Sequence, residues 1–211
     1  MNRTLPKGVY CITAEQFSKG RSNVEVAEEM AAGGAAVIQY REKHGKKSFR
    51  AMYEECLAIR RITREAGILF IVNDYLELAM LADADGVHVG QDDLPMKAVR
   101  ERVGDKIIGF STHGPEQARQ AIAAGADYIG VGPIFATQTK EDVCDPVGLP
   151  YLNFTVQEIP LPGVAIGGIK LNNIHQVLEQ GARSVALVTE IVGAAEIAAT
   201  VRQIRKLVLD A

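Results

Sequence analysis

Along this chain a segment of helical periodicity repeatedly ends at a glycine, and a run of aliphatic or β-branched residues follows at once. The pattern occurs at Ala31-Ala32-Gly33-Gly34 before 35–39, at Ala66-Gly67 before 68–72, at Ala124-Gly125 before 126–131 and at Gln180-Gly181 before 182–188. A helix that must stop and turn into a strand needs a left-handed residue at its end, and glycine takes that conformation without a Cβ penalty. The runs at 9–13, 85–89, 106–110 and 163–166 bring the expected strands to eight. Helical faces fill the intervals, with Val24, Ala27, Met30 and Ala31 on one near the start and Ile197, Val201, Ile204 and Val208 on one at the end. Strands that are apolar on both faces and alternate with helices form a parallel sheet covered on both sides. Eight such units in 211 residues fit a closed (β/α)8 TIM barrel of minimal size better than an open doubly wound sheet. No Pro-, Gly- or Ser-rich linker divides the chain, so residues 1–211 are expected to form one domain.

Composition narrows the partners. Against 23 basic residues stand 26 acidic ones, a net charge of -3, which excludes a broad basic nucleic-acid surface and makes any anion site local. Cys11, Cys56 and Cys144 are odd in number and lack metal or redox spacing, as expected in a reducing compartment. No apolar stretch reaches membrane-spanning length and the start lacks a signal-peptide core. A cytoplasmic protein acting on small molecules, with neither membrane nor nucleic-acid partner, is the expectation, with assembly into a homo-oligomer left open.

In a barrel, the residues just after each strand gather on one face and build the site. The richest such stretch is Gly132-Pro133-Ile134-Phe135-Ala136-Thr137-Gln138-Thr139-Lys140, in which two hydroxyls and an ammonium suit a phosphate. After the second strand, alternation puts Gln39, Arg41 and Lys43 on one side and Tyr40 and Glu42 on the other. Arg41 can grip a phosphate with a bidentate fork, and Lys43 adds a point charge. The third strand ends in Asn73-Asp74, the fourth carries His88 and leads to Gly90-Gln91-Asp92-Asp93, and the fifth ends in Ser111-Thr112-His113. Asp74 and Asp93 amid phosphate-seeking groups would repel an anion, and a Mg²⁺ ion resolves that conflict. Asp74 is alternatively a cap for a helix beginning at Tyr75. Gly167-Gly168 and Val188-Thr189-Glu190, after the last two strands, stand where barrels bind a monophosphate through backbone N–H groups. The segment 136–145, long for a barrel connection, is expected to act as a lid.

Taken in this order, these motifs, together with Asp85-Gly86-Val87-His88-Val89-Gly90-Gln91-Asp92-Asp93 and Val164-Ala165-Ile166-Gly167-Gly168-Ile169, resemble those of the thiamine phosphate synthase family from about Tyr10 to Gly193. The resemblance implies a TIM-barrel transferase of thiamine biosynthesis. It would join hydroxymethylpyrimidine diphosphate to hydroxyethylthiazole phosphate, releasing diphosphate, by a dissociative, Mg²⁺-assisted displacement. It implies that Arg41, Lys43, Asn73, Ser111 and Lys140 grip the diphosphate, Lys140, Arg41, Lys43 and Ser111 being the catalytic set. It further implies Asp74 and Asp93 as Mg²⁺ ligands, Gln39 and His88 beside the pyrimidine, and Thr137, Thr139, Gly168, Val188 and Thr189 around the thiazole phosphate. Two departures stand out: Thr189-Glu190 where the family often has Ser and a small or apolar residue, and Tyr75 where Arg is frequent. The alternatives are a thiazole tautomerase, with His113 as proton shuttle, and a non-catalytic sensor that binds the thiazole phosphate.

Overall fold

The eight expected runs become eight strands: β1 Gly8–Ile12, β2 Val37–Tyr40, β3 Leu69–Asn73, β4 Gly86–Val89, β5 Ile107–Thr112, β6 Tyr128–Val131, β7 Gly163–Ile166 and β8 Ser184–Leu187. They come from a computed structural model that describes residues 4–42, 45–139 and 144–211. Every strand pairs in parallel with its sequence neighbours, and β8 pairs with β1 from Gly8↔Ser184 to Cys11↔Leu187. That last pairing closes the barrel and excludes the open sheet.

The helices among the described residues are α1 Asn23–Ala32, α2 Phe49–Ala66, α3 Leu76–Leu81, α4 Met96–Val103, α5 Pro115–Ala123, α6 Gly148–Glu158, α7 Ile174–Glu179, α8 Thr189–Val192 and α9 Ile197–Asp210. The four glycines at helix-to-strand junctions, Gly34, Gly67, Gly125 and Gly181, all have positive φ, between 67° and 88°. Six of the strands begin one or two residues later than the apolar runs do, with Ala35, Ala126 and Ala182 spent in connections, whereas β7 begins where expected and β1 one residue earlier. The eighth ends at Leu187, so Val188 opens the turn into α8, and the fifth runs on to take Ser111 and Thr112 into the sheet. On α1 the buried stripe is Asn23, Val26, Ala27 and Met30, with Val24 only partly covered; on α9 it is the expected Ile197, Val201, Ile204 and Val208.

Two apolar layers result from the strand alternation. Val9, Cys11, Ile38, Phe70, Val72, Val87, Ile108, Ile129 and Val185 face the helices. Tyr10, Ile12, Val37, Ile71, Ile107, Tyr128, Val164 and Ala186 fill the interior. Cys11 and Cys56 are free thiols whose pKa burial raises, that of Cys56 to about 12. They are packing residues, whereas the free Cys144 is exposed. Among the described residues no helix is long and apolar enough to cross a membrane.

At the N-terminal ends of the strands a device recurs. Asp85, just before β4, accepts the Phe70 N–H at 2.8 Å and a bidentate pair from Arg60 of α2 at 2.8 and 3.0 Å. Asp127, just before β6, accepts the Ile108 N–H at 2.9 Å and Arg100 of α4 at 2.6 Å. In each case a carboxylate satisfies an N–H near a strand's start and a guanidinium from a helix together, tying helix to sheet.

Candidate active site

Four of the expected site residues are interior positions near the C-terminal ends of adjacent strands. Parallel register sets Asn73 of β3 beside His88 of β4, and His88 beside Gly109 of β5. It also sets Ser111 of β5 beside Gly130 of β6. Gln39 of β2 is 3% and Asn73 is 7% exposed, so both polar side chains lie inside the barrel rather than on its rim.

Gln39 does not end in solvent. Its Nε2 donates to the Tyr10 hydroxyl at 2.9 Å, Tyr10 and Tyr128 share a hydrogen bond of 2.7 Å, and Tyr128 meets His88 Nδ1 at 3.0 Å. His88 Nε2 then meets Ser111 Oγ at 2.9 Å. Desolvation raises the pKa of both tyrosines, so both are neutral hydroxyls. Room for this chain comes from Gly109, where a Cβ would stand 2.0 Å from Tyr128 Cζ and 2.5 Å from His88 Nδ1. The two tyrosines escaped the sequence reading; a hydroxyl in an otherwise aliphatic buried strand must find a partner, and that was the available signal.

Alternation holds beyond β2. Glu42 points outward, accepting from Asn23 Nδ2 at 3.0 Å, while Tyr40 donates to Glu55 at 2.7 Å. Arg41 faces the other way. Thr13 Oγ1 accepts its backbone N–H at 2.9 Å, and its guanidinium feels the carboxylates of Asp74 and Glu42, which oppose the lowering of its pKa by burial. Asp74 does not cap a helix: α3 starts at Leu76 without a side-chain cap, and Asp74 sits at φ 60°. Its N–H donates to His88 O at 2.9 Å and the Tyr75 N–H to Asn73 O at 2.7 Å, a tight turn at the end of β3. Asp93 accepts the Gly90 N–H at 2.6 Å, and Gln91 Nε2 donates to Ser111 O at 2.6 Å, binding the loop after β4 to the end of β5.

On the opposite side of the mouth, the chain after β6 rests on the turn after β7. Ile134 N donates to Ile166 O at 2.9 Å and Phe135 N to Gly167 O at 3.0 Å. Thr137 Oγ1 and Thr139 Oγ1 lie 3.1 Å apart, a pair of hydroxyls on the arm that leaves this contact. Gly168 is left-handed at φ 64°, and Asn173 Nδ2 donates to its carbonyl at 3.0 Å. Thr189 opens the four-residue α8, preceded by the half-buried Val188. The Glu190 carboxylate accepts the Leu171 N–H at 3.1 Å, which gives the one acidic group of this turn a structural occupation. His113 Nδ1 donates to Gly132 O at 2.5 Å. Lys43 and Lys140 lie outside the described residues, as do residues 140–143 of the expected lid.

Two sets of acids must be weighed for a cation. Glu15, Glu42 and Glu55 bring carboxylate oxygens within 4.8 Å of one another, but Lys47 already sits among them, bonded to Glu15 and Glu55 and 3.6 Å from Glu42. That ammonium occupies the place a cation would take and offsets part of their charge. Asp74 and Asp93 stand instead at the ends of β3 and β4, partly or fully exposed, and offer the one or two carboxylates that a hydrated Mg²⁺ takes from protein.

Known proteins resemble this chain throughout. The family described as Thiamine monophosphate synthase matches residues 9–191. A thiamine-phosphate synthase of Pelotomaculum thermopropionicum is 62% identical over 205 residues, 97% of this chain and 93% of that protein. One of Lawsonia intracellularis is 49% identical over 207 residues, covering 98% and 94%. The structure of a thiamine phosphate pyrophosphorylase from Pyrococcus furiosus superposes with a TM-score of 0.90 at 35% identity, over 99% of this chain and 98% of that one.

Proposed function

The chain belongs to the thiamine monophosphate synthase family, and from that premise we propose that it is a transferase joining hydroxymethylpyrimidine diphosphate to hydroxyethylthiazole phosphate, with release of diphosphate. The observation that carries the reading is the division of the barrel mouth. Gln39, Asn73, His88 and Ser111 stand in the interior below one side, and Thr137, Thr139 and Gly168 come together on the other. Two anionic substrates can be held there facing each other.

The assignment of roles is the one the family resemblance implies, and the chemistry of the side chains is consistent with it. Gln39 and His88 lie beside the pyrimidine, deep in the interior. Arg41, Asn73 and Ser111, with Lys43 and Lys140 from the adjoining loops, hold the diphosphate as its negative charge grows. A bound Mg²⁺, held by Asp74 and Asp93, would neutralise part of that charge. Departure of diphosphate leaves a methylene cation stabilised by the electron-rich aminopyrimidine, and the thiazole nitrogen attacks it. No protein base is required, which accounts for a site of cations, hydroxyls and amides. Thr137, Thr139 and the N–H groups around Gly168, Val188 and Thr189 cradle the thiazole phosphate.

The test is to incubate the protein with both substrates and Mg²⁺ and follow thiamine phosphate. Its formation is expected. Conversion of thiazole carboxylate phosphate isomers without condensation would assign the chain to tautomerisation, and tight thiazole phosphate binding without turnover would make it a sensor.

A further inference from the structure

The hydrogen-bonded chain through the barrel runs Gln39, Tyr10, Tyr128, His88, Ser111. Each hydroxyl in it owns one hydrogen, and so does a neutral imidazole. In an unbranched chain of such groups, each member that receives a hydrogen from one neighbour must pass its own to the next. With His88 neutral and every hydrogen used along the chain, two senses exist. With the Gln39 amide NH₂ toward Tyr10, as found, Tyr10 donates to Tyr128, Tyr128 donates to His88 Nδ1, and His88 Nε2–H donates to Ser111 Oγ. Ser111 is then saturated on that side as an acceptor, and its own hydrogen is left for the mouth of the barrel. In the reverse sense the amide is turned, Ser111 donates inward to His88, and only lone pairs face the mouth.

We propose that Tyr10 and Tyr128 are positioning residues that act through His88 to hold the Ser111 hydroxyl as a hydrogen-bond donor toward the departing diphosphate. The proposal rests on the reaction proposed above. Phenylalanine would fill the same volume at 10 and 128 without needing any partner in an aliphatic interior, so packing alone does not call for the two hydroxyls. Their burial, with Tyr10 2% and Tyr128 1% exposed, shields the chain from water that could supply a second donor or acceptor. Gly109 contributes by omission, since any side chain there would part Tyr128 from His88. A donor aimed at developing negative charge assists most as the bond to diphosphate breaks, so its larger effect belongs in kcat, beyond what it adds to substrate binding.

Two measurements on the full chain test this. In ¹⁵N-histidine-labelled protein without substrates, the ring resonances of His88, assigned by their loss in His88→Asn, should show Nε2 protonated and Nδ1 bare. Tyr10→Phe and Tyr128→Phe should each replace that single tautomer by a mixture. In steady-state assays Tyr128→Phe should lower kcat roughly tenfold or more with little change in either KM, and Tyr10→Phe should lower it less. The double variant Tyr128→Phe/Ser111→Ala should be no slower than Ser111→Ala alone, because both changes remove one effect. A proton on Nδ1 of the wild-type ring, or losses from Tyr128→Phe and Ser111→Ala that multiply, would overturn the proposal. The tautomer measurement needs no turnover, so a chain that fails to make thiamine phosphate yet shows Nε2–H would refute the reaction and leave the hydrogen-bond sense intact.

Discussion

Two glycines separate backbone strain from site geometry. Gly168 and Gly67 are both left-handed, at φ 64° and 67°. Replacing either by Ala costs about 1–2 kcal/mol in that conformation. What the new methyl meets differs entirely. At Gly67 nothing lies within 4 Å, whereas at Gly168 the Cβ would stand 2.6 Å from Ala136 O and 2.8 Å from Phe135 Cβ. An ordinary contact is about 3.5 Å, so the chain after β6 must retreat by nearly 1 Å, adding about 1–3 kcal/mol of overpacking. That chain carries Thr137 and Thr139. Gly67→Ala should therefore lower stability by about 1–2 kcal/mol in urea titration and leave kinetics unchanged. Gly168→Ala should lose about 2–5 kcal/mol and raise KM for the thiazole phosphate about tenfold, the equivalent of one charge-assisted hydrogen bond. KM for the pyrimidine diphosphate should rise less. The reasoning fails if a folded Gly168→Ala keeps its thiazole phosphate KM, if only the diphosphate KM rises, or if Gly67→Ala disturbs catalysis equally.

Other expectations can be checked with single variants. Asp74→Ala or Asp93→Ala should remove most turnover without unfolding the chain, and excess chelator should do the same to the unmodified protein; full activity in chelator would end the case for a divalent cation. Lys140→Ala should lower kcat and kcat/KM together, as for a group that stabilises departing diphosphate, and a rise in KM alone would reduce it to a binding residue. Asp85→Ala strands the Arg60 charge and the Phe70 N–H in the interior and should cost about 3–5 kcal/mol by urea titration. Asp83→Ala, which removes a 65% exposed partner of Arg64 and Lys106, should cost less than about 1 kcal/mol, and equal losses would contradict the distinction.

The barrel was legible because its signals are local. A glycine such as Gly67 ends a helix for reasons contained in its own backbone, and an aliphatic run such as that of β6 is buried whatever its neighbours are. Arg41, Asp74 and Ser111 were placed near the C-terminal ends of their strands by a topological rule, that such residues in a parallel barrel meet at one end, and the fold has them there. What resisted were interactions whose partners lie far apart in sequence. Tyr10 and Tyr128 bond across 118 residues, and neither has a neighbour that betrays the other. Thr13 holds Arg41 across 28 residues by a backbone contact that leaves no residue-type signature. Asp85, which carried no expected role beyond its place in a family motif, anchors a strand through Arg60 of α2, a partner 25 residues away.

Distance in sequence also hides the partner of Glu190. Near a phosphate a carboxylate is unfavourable unless it points away. In the fold its oxygen takes the Leu171 N–H, from the segment that follows Gly167-Gly168, and so it braces one side of the mouth against α8. A charge adjacent in sequence to a phosphate-binding turn thus counts against binding only if its side chain has nowhere else to go, and a backbone N–H one loop away is enough to draw it off.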